Sequence, residues 1–214
     1  MKDELISCLH FIQEAYDIQE RPVFKDYGKT LYYILKGTDD PQDWLTNLDV
    51  WQVPFHDRAT VHGGFYDLFT DVYSPWKIMN SKANRIVVTG HSLGGAVATI
   101  LAVALQMEFP HLDVACYSFG SPRVGNKHFS KLYASTIKTG ARVVLDKDPV
   151  PLLPFWSFKH TKDKMHINEK GQTLSAFRNI WSYAVFWSGW RTDDFKDHRP
   201  ASYMAALRAL PLAP

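Results

Sequence analysis

Apolar positions recur along the chain with two periods, and the switches between them predict the order of elements. Leu5, Cys8, Leu9, Ile12 and Tyr16 lie three or four residues apart, which predicts an amphipathic first helix packed on the domain core. Residues 23–27 and 30–35 are β-branched and aromatic runs on either side of Tyr27-Gly28-Lys29, so they predict two hairpin-linked strands. Residues 50–53 predict a further short strand. Residues 65–79 return to helical spacing, interrupted at Ser74-Pro75. Ile86 to Thr89 form a short buried-strand pattern, and residues 95–108 a helix of small and aliphatic residues that stops before Pro110. Further strands are predicted at 114–118 and 142–145, with a helix between Asn126 and Ile137. Residues 165–168 and 172–174 predict a hairpin around Glu169-Lys170-Gly171, and residues 176–190 a helix dense in aromatic side chains.

Strands alternating with helices predict an α/β fold, with a mostly parallel central sheet flanked by helices on both faces. At 214 residues and 46% hydrophobic content, the chain is expected to form a single domain spanning 1–214. A chain of this length buries roughly 70% of its unfolded surface, so no disulfide or metal staple is needed. Cys8 falls in a predicted helix and Cys116 in a predicted strand, which favours two buried thiols over a bridge. The 24 basic and 22 acidic residues are scattered, leaving a net charge of +2 and no basic stripe, so nucleic acid is not an expected partner. No apolar run reaches transmembrane length. The first ten residues carry charges where a classical signal peptide needs an unbroken apolar core. The expectation is a soluble chain, either cytoplasmic or exported by a signal-independent route. The oligomeric state is not legible.

Chemistry concentrates where the strand ending at Thr89 meets the small-residue helix, in Gly90-His91-Ser92-Leu93-Gly94-Gly95-Ala96. A serine between two glycines at a strand-to-helix turn is the context of a nucleophile elbow, which lifts the hydroxyl above the sheet. The same turn aims the Leu93 N–H at the reaction centre as an oxyanion donor. Serine is a weak nucleophile, so the site also needs a histidine base and an acid to orient it. In the order serine, acid, histidine, the chain offers Asp146 or Asp148 after the 142–145 strand and His198 near the end. His62 is expected to bond the backbone near its helix and His91 to pack beside the elbow. The histidines lack paired-ligand spacing, so neither metal nor cofactor is expected.

The elbow, together with Asp148-Pro149-Val150-Pro151 and Asp197-His198, resembles the class 3, fungal-type lipases. The resemblance extends to Lys36-Gly37-Thr38, Trp44, Asn47-Leu48-Asp49, Val61-His62-Gly63-Gly64-Phe65 and residues 117–126. It implies an α/β-hydrolase with Ser92 as nucleophile, His198 as base and then acid, Asp148 as the orienting acid, and Thr38 joining Leu93 in the oxyanion hole. It implies hydrolysis of lipid esters, possible at a lipid–water interface, through an acyl-enzyme. Phospholipase A1, feruloyl or other aryl esterase, and a catalytically silent lipid-binding module remain the alternatives. Trp187 and Trp190, on the aromatic helix, are candidate substrate-binding residues, against a core-packing role. Residues 37–53 mix Trp44, Leu45 and Leu48 with Asp39, Asp40 and Asp43, and are the candidate for a mobile cover, against a fixed surface helix.

Overall fold

The computed structural model describes residues 1–18, 21–38, 51–155, 157–174 and 195–211. Helix α1 (Lys2–Asp17) leads into strands β1 (Val23–Asp26) and β2 (Thr30–Leu35), a hairpin turning at Gly28. Strands β3 (Gln52–His56) and β4 (Ala59–His62) form a separate antiparallel pair. Helices α2 (Gly63–Val72) and α3 (Pro75–Met79) divide at Ser74-Pro75, where proline opens the second helix. There follow β5 (Arg85–His91), α4 (Leu93–Glu108), β6 (Asp113–Phe119), α5 (Lys127–Thr136), β7 (Thr139–Leu145), β8 (Lys164–Ile167) and α6 (Pro200–Ala209).

The main sheet runs β1-β2-β5-β6-β7-β8, parallel throughout except for the antiparallel β1 edge. Side-chain alternation splits its apolar residues between two cores. On one face Leu31, Tyr33, Ile86, Val88, Val114 and Cys116 pack against α2, α4 and α5. On the other, Ile34, Val87, Ala115, Phe119, Val143 and Leu145 pack against α1 and α6. Helix α4 is buried almost all round, which explains why its sequence is small and aliphatic rather than amphipathic. Asn126 caps α5 by accepting from the His128 and Phe129 amides, each at 2.9 Å. Cys8 and Cys116 are buried free thiols.

Beyond β8, Asn168 closes the predicted turn to Gln172, with Gly171 at φ +70°. The pairing after it reduces to a single antiparallel bridge, Ile167 to Thr173. The aromatic helix expected over 176–190, with Trp187 and Trp190, lies outside the described residues, as do residues 39–50 of the expected cover. No helix among the described residues is long and apolar enough to cross a membrane.

Candidate active site

Two glycines set the turn between β5 and α4. A Cβ added at Gly90 would sit 2.3 Å from the Gly94 carbonyl oxygen, and one at Gly94 would sit 2.3 Å from the Leu35 carbonyl oxygen. Backbone approaches backbone on both sides of Ser92, so no larger residue fits either position. Ser92 itself stands at φ 56° and ψ −128°, a left-handed conformation that costs a non-glycine residue about 1–3 kcal/mol. Its amide is tied to the Phe119 carbonyl at 2.9 Å, which holds the strained residue in place. Leu93 is the first residue of α4, so its N–H has no intrahelical partner.

The loops after β7 and before α6 bring the other two side chains to this turn. His198 Nε2 lies 2.8 Å from Ser92 Oγ, and its Nδ1 lies 3.0 and 2.9 Å from the two oxygens of Asp148. A carboxylate only accepts, so Nδ1 carries the proton and the bare Nε2 accepts from the serine hydroxyl. Ser92, Asp148 and His198 are each no more than 2% exposed. The Asp148 carboxylate also accepts from the Val150 N–H at 3.0 Å and from the Tyr203 hydroxyl at 2.5 Å. Asp146 is not part of this chain of bonds. It sits at φ 23°, where the backbone turns away from β7, and its carbonyl accepts from His166 Nε2 at 3.1 Å. Asp197 accepts from the Lys147 amide at 3.2 Å and so fastens the histidine loop to the acid loop.

A second set of bonds joins the backbone beside Thr38 to His198. The Gly37 amide donates to Tyr16 OH at 3.0 Å, and Tyr16 OH lies 2.9 Å from His91 Nδ1. His91 Nε2 lies 2.6 Å from the His198 carbonyl. The carbonyl can only accept, so His91 carries its proton on Nε2 and takes the tyrosine hydrogen at Nδ1. Burial, reinforced by His198, holds the His91 imidazole well below its usual range and keeps it neutral. Tyr16 was legible only as one apolar position of the first helix, because its helical spacing carries no sign of its hydroxyl's target.

Thr38 follows Gly37 directly, and its Oγ1 is buried without a hydrogen-bonding partner among the described residues. Trp51 and His62 lie on the β3–β4 side. The His62 ring stacks on Phe65 at 4.2 Å and lies 5.5 Å from Trp51 and 5.7 Å from Phe158, so aromatic packing dominates its surroundings. Among the described residues, no group of three or more His, Cys, Asp or Glu side chains is placed to hold a metal ion. The arrangement as a whole can transfer a proton from a serine hydroxyl to an imidazole whose cationic form a buried carboxylate stabilises.

The profile of the family described as Lipase (class 3) matches residues 32–158. The chain is 34% identical over 166 residues to secreted mono- and diacylglycerol lipase 1 of Fusarium solani, covering 70% of this chain and 49% of that protein. It is 29% identical over 167 residues to a lipase of Rhizomucor miehei, covering 72% and 46%. The chain thus spans about half the length of these curated relatives. Among solved structures, a lipase from Rhizopus microsporus var. chinensis superposes with a TM-score of 0.60 at 29% identity, over 67% of this chain and 54% of that one. A triacylglycerol lipase whose catalytic centre is a serine protease triad gives 0.63 at 26% identity, over 74% and 67%. With a profile match over more than half its length and a fold shared with solved lipases, the chain belongs to the class 3 lipase family of α/β-hydrolases.

Proposed function

We propose that this protein hydrolyses carboxylic esters of lipids through an acyl-enzyme on Ser92. The observation that carries the reading is the unbroken line of hydrogen bonds from Ser92 Oγ through the His198 imidazole to Asp148, built on a strained elbow. Ser92 gives its proton to His198 Nε2 as its oxygen attacks the ester carbonyl. The resulting imidazolium is stabilised by Asp148. The oxyanion forms beside the Leu93 N–H and Thr38, and each such donor contributes about 2.7–4 kcal/mol to the transition state. His198 then protonates the leaving alcohol, and a water that gives its proton to the same histidine releases the carboxylic acid and restores Ser92. No metal or cofactor enters this sequence. The relatives named as lipases support lipid esters as the substrate class. Trp187 and Trp190 are the proposed contacts with the acyl chain or a lipid surface, and residues 37–53 the proposed cover that settles Thr38 into position.

Hydrolysis of p-nitrophenyl esters from acetate to palmitate, with and without emulsifier, by the native protein and a Ser92→Ala variant tests the reading. The native protein should prefer longer, aggregated esters, and the variant should lose about 10⁴-fold or more of the rate. Equal activity in both would remove Ser92 from the chemistry. A native protein that is inert, and is not labelled by a fluorophosphonate, would point to the silent lipid-binding module.

A further inference from the structure

Strands β7 and β8 present opposite chemistries on their two faces. Toward α1 and α6 they bury Ala141, Val143, Leu145 and Ile167. On the other face the parallel register sets Arg142 beside Lys164 and Val144 beside His166. Two cations at paired positions on one sheet face repel each other unless an anion lies between them. Arg142 is only 5% exposed, its Nε is buried without a partner, and no hydrogen bond or ion pair to its guanidinium occurs among the described residues. Burial pulls its ionisation down to about 10 and the Asp163 charge opposes that shift, yet no carboxylate forms an ion pair with the guanidinium among the described residues, which leaves it able to take a further anionic contact.

Arg142, Lys164, Arg123, His160 and His166 converge, with Asp146 and Asp148, on a pocket of about 100 Å³. The Nδ1 atoms of both histidines are buried without a partner. The other ring nitrogen of His166 lies 3.1 Å from the Asp146 carbonyl. That nitrogen carries the ring proton, because a carbonyl only accepts, which leaves His166 Nδ1 as a bare acceptor. Burial, with Arg142 and Arg123 nearby, keeps His160 neutral. Of the surrounding acids, Asp148 is taken up by His198, Tyr203 and Val150, while Asp163 accepts from Tyr133 OH at 2.9 Å through one oxygen and keeps the other buried without a hydrogen-bonding partner.

We propose that this pocket is a binding site for inorganic phosphate as its hydrogen-bearing anion. Arg142 grips the charged oxygens in the forked geometry guanidinium favours, Lys164 and Arg123 flank them, and a bare histidine Nδ1 accepts the P–OH hydrogen. Hydrogen phosphate offers both kinds of contact, whereas sulfate and a phosphomonoester dianion offer acceptors alone. The pocket is far smaller than the roughly 300 Å³ at which organic-ligand clefts begin, so it takes a small anion and not an acyl chain.

Isothermal titration of the full chain with sodium phosphate at neutral pH, with ionic strength held constant by chloride, tests the site. Saturable one-site binding is expected, about tenfold tighter than sulfate or glycerol 3-phosphate. Ser92→Ala should bind phosphate as the native chain does, so the outcome is independent of the hydrolase reading. Arg142→Gln should abolish the binding and Lys164→Gln weaken it about tenfold. If Arg142→Gln does not fold, the more exposed Lys164→Gln and a His166→Phe variant decide the matter. Absence of saturable heat at millimolar phosphate, sulfate binding as tightly as phosphate, or native affinity in both deciding variants would overturn the proposal.

Discussion

Tyr203 donates its hydroxyl hydrogen to Asp148 Oδ2 at 2.5 Å, the same oxygen that lies 2.9 Å from His198 Nδ1. Tyr203 stands in the first turn or so of α6, five residues after His198, and its oxygen also accepts from the Leu145 amide at the end of β7 at 3.2 Å. One phenol therefore ties the helix that follows the histidine to the strand that precedes the acid. Burial first, and then the Asp148 charge, pushes its ionisation well above the usual range, so it stays a neutral donor.

Tyr203→Phe should lower stability by about 1–3 kcal/mol, because it strips the Leu145 amide and one Asp148 oxygen of a buried partner. It should also lower kcat about tenfold with KM unchanged, since a looser carboxylate orients His198 less well. Urea denaturation and steady-state kinetics on a soluble ester check both. A stability loss with native kcat would make Tyr203 a packing residue alone.

Thr38→Val separates a catalytic hydroxyl from a structural one. Thr38 Oγ1 is buried and has no partner among the described residues, so its removal should cost no stability. If that hydroxyl serves the oxyanion, kcat should fall by about 10²–10³-fold. Thermal melting together with kcat gives the answer, and an unchanged rate would leave the oxyanion to backbone donors.

Stability should fall as the solution is acidified below about pH 6.5, and His91 should account for part of the fall. Its folded-state pKa lies below the unfolded value, so between the two the unfolded chain binds more protons. The contribution is therefore complete above the unfolded pKa and lost as pH drops, at up to about 1.4 kcal/mol per pH unit. His91→Asn should flatten urea midpoints measured from pH 7.5 to 5.5, and an unaltered slope would mean that other groups carry the effect.

The elbow was legible in the sequence because its determinants lie within one strand, one turn and one helix. The β-branched run, Gly90, Gly94 and the small residues after them act on neighbours in the chain. The hairpin at Gly28, the break at Ser74-Pro75 and the helix between Asn126 and Ile137 were readable for the same reason. The choice between Asp146 and Asp148 was weaker, since both follow one strand end. The turn that bonds the Asp148 amide to the Leu145 carbonyl, and the Val150 amide that grips its carboxylate, bring Asp148 to His198.

The sequence by itself determined the α/β alternation, the two-sided apolar pattern of the sheet and the elbow, because local spacing and steric demands are written in adjacent residues. Only the tertiary structure decided which polar groups meet. Tyr16 looked like one more position of an apolar helix face, yet its hydroxyl joins Gly37 to His91. Arg142 looked like an ordinary strand residue, and only the pairing of β7 with β8 sets it beside Lys164 in a pocket. Hydrogen-bond partners and buried charges depend on contacts between segments far apart in the chain, and no periodicity encodes those.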